Sequence, residues 1–239
     1  MGIGLYRNID FEVWKNNLDI RQLDEELVFG CSNGRIDIIK YVLTSPELPK
    51  HANIHYESES AFRLACAHEE IEVIDYLLHS EEIKDHSIYN SIDYSVIEEA
   101  CYNNRLQTIK YFVDNPKFDD FITKSFLNGF PLSVASAQGH LDIIKYLLTE
   151  PKLKNYVHMH ANKDIAFKSA ANNGEMDVIR YFIFEQNIKR SIHINDWLSE
   201  KTEPLKNEIE EMFQLMELNI SLNTELNKDK QIENKKVKI

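Results

Sequence analysis

An all-α array of stacked helix–turn–helix units is the fold class this sequence predicts, and three observations lead to it. Tyr41, Tyr76, Tyr111, Tyr146 and Tyr181 stand 35 residues apart. Around each tyrosine the same apolar pattern recurs without insertion. Upstream of each lies a short column of small residues. A fixed period of this size marks a repeat array, in which each unit buries its apolar face on its neighbours.

The elements follow in chain order. Asp10-Phe11-Glu12-Val13-Trp14, continuing to Leu18, reads as a short capping helix, so residues 1–26 are assigned to an N-terminal cap. Residues 27–188 hold five repeats. In each, a first helix closes on small side chains that allow close helix approach. These are Gly30, Ala65, Ala100, Ala135 and Ala170, followed by Cys31, Cys66, Cys101, Ser136 and Ala171. Helix starts are signalled by Ser60, by Ser95 with Glu98, by Pro131 and by Asp164. Gly34, Gly139 and Gly174 share the next column with Glu69 and Asn104, and glycine there fits a left-handed residue between two helices. The second helix is amphipathic, with Ile36, Ile39, Val42 and Leu43 and their in-phase equivalents at helical spacing. Asp37, Glu72, Asp142 and Asp177 in its first turn favour the helix dipole. Leu205, Ile209, Met212 and Met216 then form a stripe behind Thr202 and Pro204, so residues 189–222 are expected to be C-terminal capping helices. A coiled coil running on through Leu215, Leu218 and Leu222 is the other reading of that segment. Residues 223–239, poor in apolar groups, are expected to be a disordered polar tail.

The clearest copy is Phe130-Pro-Leu-Ser-Val-Ala-Ser-Ala-Gln-Gly-His-Leu-Asp-Ile-Ile-Lys-Tyr-Leu-Leu148. It resembles the ankyrin repeat, whose pattern is T-P-L-H-x-A-A-x-x-G-H-x-E-I-V-x-L-L-L, and the likeness covers about residues 27–188. No copy has the full T-P-L-H start. The period of 35 exceeds the family's roughly 33, and tyrosine stands where a leucine is usual. The tyrosine column reads as structural, a ring packing between helices with its hydroxyl at the rim.

Composition narrows the function classes. The formal charge of −12 over 239 residues opposes binding to nucleic acid through phosphates and favours a neutral or basic protein partner. The N-terminal stretch shows no leader and no spanning segment, so a cytoplasmic protein is expected, in its own cell or in a host. Three cysteines in one core-type column suit a reducing compartment. The sequence contains no phosphate-cradling loop, no C-x-x-C and no H-E-x-x-H, so neither enzymatic activity nor a cofactor is expected. The histidines fall in phase, His55 with His160 and His158 with His193. A metal site, however, needs three or four ligands converging on one ion.

The resemblance implies that a partner meets the concave face, built from loop tips and the outer side of the first helices. Carried over by position, and favouring aromatic and arginine anchors, the expected contact residues are Tyr56, Arg63, His68, Tyr94, Tyr102, Asn103, Phe126, Gln138 and Asn173. Phe126→Ala is therefore expected to weaken binding and leave folding nearly intact. The expected function is non-catalytic protein binding, as an inhibitor, immunity or counter-defence factor. The alternatives are a secreted effector or adaptor that engages a host protein, and, from another class, a self-associating structural protein or a metal-binding protein. The free protein is expected to be a monomer.

Overall fold

A computed structural model describes residues 8–86, 92–93, 95–126, 129–186, 188 and 190–236. Among them every regular element is helical. The chain forms two compact units, residues 1–127 and 128–239. The first contains α1 (Phe11–Asn16), α2 (Leu23–Ser32), α3 (Ile36–Thr44), α4 (Ser60–His68), α5 (Ile71–His79), α6 (Ser95–Tyr102), α7 (Leu106–Asp114) and α8 (Asp119–Phe126). The second contains α9 (Phe130–Ala137), α10 (Leu141–Thr149), α11 (Ala161–Asn173), α12 (Met176–Arg180), α13 (Ile192–Ser199) and α14 (Glu203–Lys236). A π-helical turn, Tyr181–Glu185, prolongs α12.

Five helix pairs keep the 35-residue phase: their second helices begin at Ile36, Ile71, Leu106, Leu141 and Met176. The hairpin between the helices of a pair has one cause. Residues 34, 69, 104, 139 and 174 all adopt the left-handed conformation, with φ between 59° and 76°. The next amide then turns back onto the first helix. Arg35 donates to the Gly30 carbonyl at 2.9 Å, Glu70 to Ala65 at 3.0 Å, Arg105 to Ala100 at 2.8 Å, His140 to Ala135 at 3.0 Å and Glu175 to Ala170 at 2.9 Å. This six-to-one bond of a Schellman motif satisfies a carbonyl that the helix end leaves orphaned.

The core is a set of in-phase columns. Leu27, Phe62, Ile97, Leu132 and Phe167 of the first helices are buried, as are the five small residues that begin with Gly30. Within the first unit α2 packs on α4 and α4 on α6; within the second, α9 packs on α11 and α11 on α13. In the second helices, Ile39, Ile74, Ile109, Ile144 and Ile179 are all fully buried. The column at Ile36, by contrast, is only half-buried in every copy. Its place in the core is taken by Ile38, Val73, Thr108, Ile143 and Val178. Thr108 is the polar member, and its hydroxyl donates to the Cys66 carbonyl at 2.9 Å, so its burial leaves no unmet donor.

Loops after the second helices are also built in phase. Ser45, Ser80, Asn115 and Glu150 each accept, through the side chain, from the amide two residues on, at 3.1–3.3 Å. That bond fixes a turn. Ile83, Phe118, Leu153 and Ile188 then anchor their loops in the core.

Phe126 departs from expectation. It is not a loop tip but the last residue of α8, where Ile122 and Phe126 are buried, as is Phe118 in the 3-10 turn just before it. Phe112, Phe118 and Phe121 pack against one another at 4.9–6.3 Å between ring centroids. An aromatic stripe at helical spacing gains more by folding onto Phe112 than by lying in water. At 0% exposure Phe126 touches no partner. The C-terminal segment differs too. α14 continues to Lys236, past residue 223 where an unstructured tail is expected. Its Glu, Lys, Leu and Gln residues are good helix formers.

Both Ile109→Ala and Phe126→Ala are expected to destabilise the protein by about 2–5 kcal/mol, measured by urea titration. A near-neutral Phe126→Ala would return that residue to the surface. Burial also pushes the thiols of Cys31, Cys66 and Cys101 well up from their ordinary range. All three are free and buried, so a thiol reagent should label none in the native protein and all three after denaturation.

Candidate functional site

Positions 25, 28, 29 and 32 of the first helix, spaced i, i+3, i+4, i+7 away from the buried column, point outward in the first unit. In the second unit Ser133, the equivalent of position 28, is buried at 6% exposure. In the first unit this outer stripe carries Glu25 and Phe29 on α2, Arg63 and Leu64 on α4, and Glu98, Glu99 and Tyr102 on α6; all are exposed or half-buried. Tyr102 is 57% exposed and closes the stripe at the end of α6. Tyr56 lies in the loop before α4, half-buried, with acidic neighbours. Glu57 first, then Glu25 and Asp24, raises its hydroxyl above the ordinary tyrosine range. Partial burial, then Asp93 and Glu99, raises the Glu98 carboxyl in the same way. The stripe is thus an acidic surface with aromatic residues on it, and Arg63 is its basic member.

Arg63 is not an open anchor. Its Nη2 donates to Glu99 Oε1 at 2.8 Å, tying α4 to α6. The same two columns in the second unit hold Ser133 and Ser169, whose hydroxyls lie 2.9 Å apart between α9 and α11. This position serves as a lateral tie before it serves a partner. Such an exposed ion pair contributes at most about 1 kcal/mol.

The column after the stripe has a local task as well. Asn33, Asn103 and Asn173 each donate their side-chain amide to the carbonyl four residues earlier, at 2.9 Å, closing the end of the first helix. Asn33 is 6% exposed and belongs to the turn. Asn103 and Asn173 are exposed, as are His68 and Gln138 in the same column. Of the expected contact residues, Tyr56, Arg63, His68, Tyr102 and Asn103 lie in the first unit and Gln138 and Asn173 in the second. Tyr94 lies outside the described residues, and Phe126 is in the core. Glu98 shares the outward column of Arg63; Glu25 and Glu99, legible as outward helical positions, and Phe130, 46% exposed at the start of α9, lie outside the expected set.

The in-phase histidines have a structural explanation. His55 Nδ1 lies 3.0 Å from Glu59 Oε1, and His160 Nδ1 hydrogen-bonds Asp164 Oδ1. Between each pair the backbone makes a left-handed turn, with φ of 47–61° at Glu57, Ser58 and Glu59 and of 46–60° at Asn162, Lys163 and Asp164. Each left-handed residue that is not glycine costs roughly 1–2 kcal/mol, and the histidine–carboxylate pair closes the turn. Asp164, 1% exposed, is also bound by the Ser191 hydroxyl, which in turn accepts from the Ile194 amide and caps α13. The carboxylate stands between His160 and Ser191, so the three do not form the order needed to activate a serine nucleophile.

On the second-helix side of the first unit, a shallow cleft is lined by Lys40, Glu72, Asp75, Tyr76, His79 and Glu82. Its polar groups are engaged with each other, Tyr76 with Glu82 at 3.0 Å and His79 with Asp75 at 3.0 Å. Among the described residues, no three histidine, cysteine or acidic side chains converge as metal ligands. Among the same residues no helix is long and apolar enough to cross a membrane. Compared with known families, curated proteins and solved structures, the chain finds no match.

The two closed turns differ in burial, which makes them separable. Asp164→Ala is expected to destabilise the protein by about 1–3 kcal/mol, because a buried carboxylate with two partners is lost. Glu59→Ala, at the exposed turn, should cost less. Chemical denaturation of the two variants side by side measures the difference.

Proposed function

We propose that this protein is a non-catalytic binding module of ankyrin type, in which the five helix pairs form a solenoid and the outer stripe of the first helices receives a basic protein partner. The observation that carries the reading is the first unit's stripe, which holds the exposed Tyr102 and the carboxylates Glu25, Glu98 and Glu99, with the acidic loop around Tyr56 preceding α4. An exposed tyrosine in an acidic setting suits both parts of recognition: a large anchor for affinity and a field that speeds encounter with a cation-rich surface. The formal charge of −12 acts in the same direction. Masking a basic target, as an inhibitor or counter-defence factor does, is the role this surface serves best. The ankyrin assignment rests on the in-phase columns, the left-handed residue at the end of each first helix and the Phe130–Leu148 motif.

The test is co-purification from the native cell, followed by titration of the recovered partner. Tyr102→Ala combined with His68→Ala is expected to weaken binding by about 10- to 100-fold, with unchanged thermal stability. Glu72→Ala, an exposed change on α5, should leave it intact. Raising salt should lower affinity for the unaltered protein. An acidic partner whose binding ignores both salt and Tyr102 would contradict the reading.

A further inference from the structure

An open cavity lies where the N-terminal cap meets the first helix of the array. The sequence builds it in two pieces. Trp14 and Asn17 stand one turn apart on α1 and its C-cap, and Glu25 and Glu26 stand one turn before Phe29 on α2. With Ile9 these residues line about 340 Å³. That volume is at the low end for a ligand site and admits one side chain. Trp14, 6% exposed, is fixed by its neighbours. Phe11 stacks on it at 5.5 Å, and Tyr41 meets it edge-on at 5.9 Å. Its Nε1 donates to Glu26 Oε2 at 2.7 Å, which holds that carboxylate at the cavity wall.

Charge identifies what fits this cavity. Lys15, Arg21 and Arg35 are engaged with Glu47, Asp19 and Asp37, each at 2.7 Å. Among the described residues neither Glu25 nor Glu26 has a cationic partner. The first unit also carries most of the chain's acidity. Residues 1–127 hold 23 acidic and 12 basic side chains, and residues 128–239 hold 16 and 15. Two carboxylates beside two aromatic rings suit a guanidinium, which stacks on a ring while its fork pairs with a carboxylate. We infer that the cavity receives an arginine side chain of the basic protein partner, with Trp14 and Phe29 as walls and Glu25 and Glu26 as counter-charges. The pocket deepens the binding role proposed above, on which it rests. The N-terminal cap then does more than cover the first helix pair: it supplies half of an anchor site.

Trp14 reports on its own pocket. In the full chain Trp197→Phe leaves it as the sole tryptophan. Its fluorescence is titrated with n-butylguanidinium, the head of an arginine side chain, and with n-butylurea, the uncharged isostere. A saturable change in roughly the millimolar range is expected with the cation, and none with the urea. Glu25→Gln/Glu26→Gln removes both charges but keeps an amide oxygen to accept from Trp14. Circular dichroism should show this variant folded, with affinity for the cation lowered about tenfold or more. Tyr102→Ala/His68→Ala should leave the titration unchanged. Equal responses to the two probes, or a cation response that survives the double-glutamine change, would overturn the pocket. So would a cation response seen only in Arg7→Ala protein, because the chain's own arginine would then be the occupant. The partner recovered by co-purification separates the pocket from the stripe. Affinity unchanged by the double-glutamine change but still dependent on Tyr102 overturns the pocket and leaves the stripe standing. A pocket that takes the cation, with partner binding that needs both glutamates but not Tyr102, supports the pocket and contradicts the stripe.

Discussion

The Schellman turn at the end of each first helix is the constraint on which the rest of the structure depends. A left-handed residue at 34, 69, 104, 139 or 174 reverses the chain in one step, and the following amide bonds back to the carbonyl five residues earlier. The second helix must then start within two residues and run back along the first. Because every copy makes the same turn, the copies within each unit present the same columns to their neighbours. The small residues beginning at Gly30 and Cys31 face the neighbouring pair, and side chains at position 25 and its helical partners face water. The outer stripe is therefore a consequence of turn geometry. Glu69, at φ 59°, accepts from the Gln107 amide at 2.8 Å and so ties its pair to the next.

The recurring tyrosine acts across pairs. In the first unit Lys40 lies 5.3 Å over the Tyr76 ring, and in the second Lys145 lies 5.4 Å over Tyr181. Lys15 of the cap does the same to Tyr41 at 5.0 Å. Where the preceding copy offers an acid in that position, the contact changes character: Asp75 accepts from the Tyr111 hydroxyl at 2.9 Å. Lys40, Asp75 and Lys145, each one residue before a tyrosine, thus address the tyrosine of the next copy, as a cation on the ring face or as an acceptor for the hydroxyl. This explains how tyrosine takes a part in the scaffold where an aliphatic residue would only pack.

Much of the fold was legible in the sequence because periodicity survives substitution. The helix pairs, the left-handed column and the burial of Ile39 and its equivalents all follow from residues in phase. The core column at Ile38 was hidden by Thr108, whose polarity reads as surface until its bond to Cys66 is known. Phe126 lies on a helix where the repeat pattern alone predicts a loop. The spacing of Phe118, Ile122 and Phe126 already carried a helix. Asn103 and Asn173, expected contact residues, also serve a local end, since an asparagine at a helix end has an acceptor within reach. Their amides' closure of that end became visible only with the backbone in place. The tail beyond 223 was judged on hydrophobicity, while its helix is extended by propensity and by continuity with a packed stretch.

Repeated turns of one kind should produce repeated protection of one kind. Native-state hydrogen exchange, resolved to single amides, measures this directly at Arg35, Glu70, Arg105, His140 and Glu175. If the Schellman bond organises every pair, all five amides are strongly protected, and protection across residues 27–188 rises and falls with the 35-residue period. Exchange at open-chain rates at any two of these amides, with their flanking helices still protected, would contradict the account.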